Sequence, residues 1–255
     1  MASLFSKINP KETLVGTIVL LAVALVLHFM PWSVMIIACF ATLPGIILWY
    51  RSIHSFGLAT LITILLSTLT GDLFVMTFMI ILLALSAVIA QLLKQRASKE
   101  HILYVATLVT SIITIGAIMI LQGLKQLPYA QVLLEPYQKI VNQMIEMQNL
   151  DQQAREVLNN SVHQLAVQLP AMIVVTIAIY LIITLMIIFP ILRKFKIATP
   201  VFRPLYLWQM KRSLFIIYAI ALLVSVTTEP ATTINSIGIN FQIVLGFLLV
   251  IQGLS

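Results

Sequence analysis

The longest feature in the polarity pattern is a stretch from Thr13 to Tyr50 with no Asp, Glu, Lys or Arg. About 20 apolar residues cross about 30 Å of hydrocarbon, so this stretch is too long for one helix. Pro31-Trp32 divides it, because proline disfavours helix for the residue before it and Trp belongs at a membrane interface. The pattern therefore predicts helices over 14–30 and 32–50, the second ending at Arg51. Further apolar runs at 55–70 and 73–93 flank a Gly71-Asp72 turn, and others follow at 102–122, at 170–190 between two prolines, at 213–227 and at 239–255. The predicted fold is all-α: one polytopic membrane bundle over residues 1–255, with about eight spans and a polar insert at 123–169.

That insert is patterned. Leu133, Tyr137, Ile140, Met144, Met147, Ala154 and Leu158 recur at three- and four-residue steps, which predicts amphipathic helix outside the bilayer. The expectation is one long or two short helices, with Tyr137, Ile140, Met144 and Met147 on the buried side. Asn149 followed by Gln152 offers a cap for the second.

Charge orders the spans. With the N-terminus inside, the inner segments hold twelve Lys and Arg against two acidic residues, and the outer ones three against six, a balance of +10 to −3. Reversing the chain or removing one span before Arg193 destroys that asymmetry, so the positive-inside rule predicts a plasma-membrane protein with a cytoplasmic N-terminus. The segment from Thr199 to Arg212 is basic and amphipathic. Phe202, Arg203, Trp208, Lys211 and Arg212 are its candidate interface anchors, suited to anionic lipid. The last predicted helix ends at Gln252-Gly253-Leu254-Ser255 without a basic anchor, as it would if the terminus were tucked into the bundle or the sequence were part of a longer chain.

Composition agrees: 61% hydrophobic and 9% charged residues, with mean hydropathy +1.07, cannot build a water-facing surface, since soluble domains carry about 25% charged residues. The net charge of +7 lies in short loops, so nucleic acid is not an expected partner. Lys7 and Lys11 precede an apolar run, but His28-Phe29-Met30-Pro31-Trp32 after it is no small-residue cleavage site, so the first helix is expected to be retained. One cysteine, Cys39, and four scattered histidines (His28, His54, His101, His163) give no metal-ligand spacing. No catalytic motif is present, and no cofactor and no enzymatic activity are expected.

Candidate binding chemistry is sparse, because no span carries a charge near its middle, where charges usually mark an ion path. Asp72 is the nearest exception. The third predicted helix, of 16 residues, rises about 24 Å against about 30 Å of hydrocarbon. Asp72 then either lies below the outer surface in a cavity or simply caps the fourth helix. The predicted linker 229–240 carries Thr232, Thr233, Asn235 and Asn240. Asp72, Asn235 and Asn240 are the candidate ligand-binding residues. Ala84, Ser86, Ala87 and Ala90 give the fourth helix a small-residue face for close packing.

Several motifs carry a resemblance: Leu43-Pro44-Gly45 with Arg51, the long insert, Pro200-Val201-Phe202-Arg203-Pro204 before Trp208, and the closing Gln252-Gly253-Leu254. On these the chain resembles the YybS-like family of bacterial membrane proteins (DUF2232 type), whose members often continue further. The first five spans are also similar to the substrate-binding subunits of energy-coupling-factor vitamin transporters and, more loosely, to MreD-like scaffolds. Those subunits carry an Ala-x-x-x-Ala docking face on helix 1, whereas here Val26 and His28 stand four residues after Ala22 and Ala24. The resemblance implies a membrane protein that binds or transports a small solute through an outward cavity, or a non-catalytic scaffold that recruits other membrane proteins. Besides lipid, the expected partners are a small solute or those membrane proteins.

Overall fold

The computed structural model describes residues 9–69, 71–148, 152–200, 212–229 and 232–253. Among them every regular element is helical. In order these are α1 (Pro10–Phe29), a 3-10 turn (Pro31–Ser33), α2 (Val34–Arg51), α3 (Ile53–Thr68), α4 (Leu73–Lys94), α5 (Lys99–Gly123), α6 (Ala130–Gln148), α7 (Gln152–Lys194), α8 (Arg212–Thr227) and α9 (Thr233–Gly253). Among the described residues five segments are long and apolar enough to cross a membrane: Pro10–Phe29, Leu73–Lys94, Lys99–Gly123, Asn160–Lys194 and Thr233–Val250. Three shorter apolar helices are Ile36–Arg51, Ile53–Thr68 and Leu214–Thr227.

Local chemistry sets the boundaries. Pro31 ends the first apolar helix as its sequence position predicts, and the chain turns through Pro31–Ser33 before α2 begins. Ser52 caps α3 by accepting from the Ser55 N–H at 3.3 Å. After α4, α5 and α7 the chain turns through a basic residue with positive φ: Arg96 (54°), Lys125 (57°) and Lys196 (60°). The paired backbone bonds there, such as Ala97 N–H to Leu92 C=O and Ile197 N–H to Leu192 C=O, are those of a Schellman cap. Glycine ordinarily takes this left-handed position. Here the cation faces the negative end of the helix dipole, and the following Ala97 and Ile197 pack into the apolar core.

The chain forms two compact units, residues 1–114 with 177–202 and residues 115–176 with 203–255. In the first, Leu20, Ala24 and Leu27 of α1 pack with Ala41 and Leu48 of α2, Phe56 and Ala59 of α3, and Val75 and Met79 of α4. A second cluster joins Ile46 of α2 and Ile89 of α4 to Ile102 and Ala106 of α5 and to Leu185 and Phe189 of α7. The α2–α4 crossing is close: a methyl group at Gly45 would stand 2.7 Å from Ser86 Cβ, and the Ser86 hydroxyl donates to the Thr42 and Leu82 carbonyls. In the second unit α8 and α9 form a hairpin, tied by the Ser225 hydroxyl donating to Gln242 Oε1 at 3.0 Å.

Three expectations are corrected. The prolines at 170 and 190 do not bracket a helix, because α7 runs through both for 43 residues and includes the second helix of the insert. Proline removes only its own N–H, and the groups beside Pro170 find a partner in Asn240. The 229–240 segment is not all linker, since α9 starts at Thr233, with the Thr232 hydroxyl accepting from the Asn235 N–H. Lastly, Tyr137, Ile140, Met144 and Met147 of α6 are exposed, at 57, 51, 50 and 82%. The inward face of α6 is Leu134, Gln138, Val141 and Ile145, about 100° away round the helix. Both stripes have helical spacing, and packing selects the other one. Asn149 lies outside the described residues.

Candidate functional site

Asp72 stands where α4 begins. Its Oδ1 accepts from the backbone N–H groups of Phe74 (2.9 Å) and Val75 (3.3 Å), so the carboxylate caps α4 and satisfies donors the helix leaves open. Oδ2 lies 3.4 Å from Nδ1 of His28, in the last turn of α1, and both side chains are about one-third exposed (33% and 34%). The pair ties the end of α1 to the start of α4, and it is an ion pair when the imidazole is protonated. Sequence reasoning found no metal-ligand spacing around His28 and gave it no role. Its signal was position: the end of one apolar helix and the start of another, both next to chain reversals.

The asparagines belong to the second unit, and each is engaged there. Asn235 Nδ2 donates to the carbonyls of Ser225 (2.8 Å) and Thr228 (3.2 Å) and to the Thr228 hydroxyl (3.1 Å), closing the α8–α9 hairpin. Asn240 sits against Pro170. Its Nδ2 donates to the Val167 carbonyl (2.9 Å), while its Oδ1 accepts from the Ala171 N–H (3.0 Å). These are the two members of the backbone pair adjacent to the proline, so one side-chain amide serves both. Nδ2 also donates to the Ser236 carbonyl at 2.7 Å. Asp72 thus bonds His28, Phe74 and Val75 within the first unit, while Asn235 and Asn240 bond their own neighbours within the second.

The basic segment is described only at its edges. Arg193 Nε donates to the Thr199 hydroxyl at 2.8 Å and its Nη2 to the Pro200 carbonyl at 3.3 Å, pinning the chain where that segment starts. Phe202, Arg203, Trp208 and Lys211 lie outside the described residues, and Arg212 opens α8. Among the described residues no group of three or more His, Cys, Asp or Glu is placed to hold a metal.

A polar group that sequence reasoning missed lies inside the first unit. The Thr184 hydroxyl of α7 donates to Sγ of Cys39 on α2 at 3.6 Å. Tyr180, one turn before Thr184, faces both, and Thr42 stands one turn after Cys39. The Thr42 hydroxyl is buried and, like those of Thr60, Thr107, Thr110 and Ser111, has no hydrogen-bond partner among the described residues. The legible signal was the i, i+3 pair Cys39/Thr42 and the i, i+4 pair Tyr180/Thr184, each a polar face inside an apolar run.

The family described as "Predicted membrane protein (DUF2232)" matches residues 17–255. The chain belongs to that family. This agrees with the YybS-like resemblance and with a helical chain carrying several segments apolar enough to cross a membrane. Neither a curated protein nor a solved structure matches it.

Proposed function

We propose that this DUF2232 member is a non-catalytic scaffold of the bacterial plasma membrane whose helical insert recruits another membrane protein. One observation carries the reading: α6 leaves Tyr137, Ile140, Met144 and Met147 exposed at the 3- and 4-residue steps of a coiled-coil seam. The neighbouring Leu134, Val141 and Ile145 already supply its contact face. In a span such residues meet lipid, but in a polar insert they require cover. The five long apolar segments and three shorter helices are as many as eight spans would need, and the excess of Lys and Arg in alternate loops favours a cytoplasmic N-terminus, with α6 then on the outer side. The basic segment around Arg203, Trp208 and Lys211 then anchors the cytoplasmic face on anionic lipid.

The double change Ile140→Gln/Met144→Gln tests this. The protein should insert and fold as before but lose the membrane proteins that copurify with the unaltered chain in mild detergent. Unchanged copurification counts against the reading. Orientation is checked with single cysteines after Cys39→Ala: Gln148→Cys should label in intact cells and Ser98→Cys only after permeabilisation, while equal labelling of both in intact cells contradicts the map.

A second reading, binding or transport of a small solute through an outward cavity, is favoured by the partly open His28–Asp72 pair. It ranks second because Asp72, Asn235 and Asn240 are each engaged in holding helices.

A further inference from the structure

Helix α7 is longer than a bilayer needs. Its 43 residues rise about 65 Å at about 1.5 Å per residue, against about 30 Å of hydrocarbon. The excess lies in its first half, where Arg155, Glu156, Asn159, Asn160 and His163 make the helix too polar for hydrocarbon. That half stands clear of the bilayer as a stalk. Only three residues separate it from α6, a link of the length that joins antiparallel helices. Both belong to the second unit, where Ile145 of α6 and Val162 of α7 are buried. The link therefore holds α6 beside the stalk, with Met147 towards its far end and the exposed stripe raised off the lipid.

We infer that the partner covering this stripe is a second copy of the same chain, the two α6 helices pairing as a short parallel coiled coil. The inference rests on the partner-recruiting reading and names its partner. In heptad terms Tyr137 and Met144 take a positions, and Ile140 and Met147 take d positions. Coiled coils select a foreign partner through charges at e and g. Here those positions hold Pro136, Val141, Gln143 and Gln148, none of them charged. The charged residues of α6, Glu135, Lys139 and Glu146, fall at c and f positions, away from the seam. Two identical helices then meet with no like charges opposed. Copies in one membrane share their orientation, so a two-fold axis normal to the bilayer sets the stalks parallel and brings a to a and d to d at equal height. Such a self-complementary contact closes at two copies. Lipid is a poorer cover, because helices that lie on a bilayer are rich in Lys and Arg, whereas α6 has one Lys against two Glu.

The test uses two full-length copies with different affinity tags, produced in the same cells. One copy carries a photoreactive residue at Ile140 or Met144 or, as a control, at Lys139, and is illuminated in its native membrane. Self-pairing predicts an adduct of twice the chain's mass, bearing both tags, from Ile140 and Met144 and none from Lys139. Placing Ile140→Gln/Met144→Gln in the other copy should abolish that adduct although the changed copy still inserts, because each stripe is the other's cover. An adduct joining one tagged chain to a different polypeptide overturns self-pairing and leaves the partner-recruiting reading standing. No polypeptide adduct from either stripe position overturns both. A two-tag adduct from all three positions, or one that survives the change in the other copy, marks chance collision and overturns self-pairing.

Discussion

Helices α4 and α6 each carry an apolar stripe, and the two stripes meet different surroundings. On α4, Val75, Met79, Leu82, Ser86, Ile89, Ala90 and Leu93 are buried against neighbouring helices, and Phe74 and Ile80 are left outside. On α6, Ile145 is buried, whereas Tyr137, Ile140, Met144 and Met147 are exposed. In a span, apolarity does not separate a packed face from a lipid-facing one, because lipid is as apolar as leucine. What distinguishes the packed face of α4 is small residues: Ser86 and Ala90 let backbones approach, and Gly45 on α2 receives Ser86. In a polar insert apolarity itself is the signal, and an uncovered stripe is the surface the proposed partner would cover.

The largest effect is expected where buried backbone depends on one side chain. Asn240→Ala removes the partner of the Val167 carbonyl and the Ala171 N–H beside Pro170, at about 1–3 kcal/mol for each group left unsatisfied. It should show as a lowered Tm of the detergent-solubilised protein. A Tm unchanged by Asn240→Ala would mean that the proline break needs no such bridge. Next comes Gly45→Ala, which pushes a methyl into Ser86 and should cost about 1–3 kcal/mol by overpacking. Adding Ser86→Gly should restore most of that loss, and failure of the rescue would place the strain elsewhere.

Asp72→Ala should cost about 1 kcal/mol as a lost helix cap, whereas Asp72→Asn keeps an oxygen on the Phe74 and Val75 N–H groups and should cost less. Equal losses would point to the His28 contact rather than the cap. Smallest is Ile140→Gln/Met144→Gln, expected to change stability by no more than about 0.5 kcal/mol, as exposed positions do. A large loss would show that the α6 stripe is packed after all and would erase its contrast with α4.

Much of the helical layout was legible because charges and prolines interrupt long apolar runs at definite residues. Arg51, the Gly71-Asp72 turn and the basic stretch after Lys94 fall at helix ends as expected. Continuity through Pro170 was not legible, since Asn240, far along the chain, supplies the missing bonds. Nor was the choice of stripe on α6, because Leu134, Val141 and Ile145 are as apolar as the residues left outside. Of the candidate site, the capping alternative for Asp72 was readable from its place in a turn before a helix. The local duties of Asn235 and Asn240 depend on chain reversals and a helix pairing that single-sequence spacing does not encode. The interior hydroxyls went unread because threonine in an apolar run is normally absorbed by its own helix, and only packing shows which ones are not.

The central claim, that the exposed stripe of α6 is covered by another protein, is tested most directly by site-specific photo-crosslinking in intact cells. A photoreactive residue is placed at Ile140 or Met144 on the stripe and, as a control, at Lys139 on the polar face. The account predicts a discrete higher-mass adduct containing a second polypeptide from Ile140 and Met144 and none from Lys139. Adducts to lipid alone from the two stripe positions, or the same adducts from all three, would contradict it.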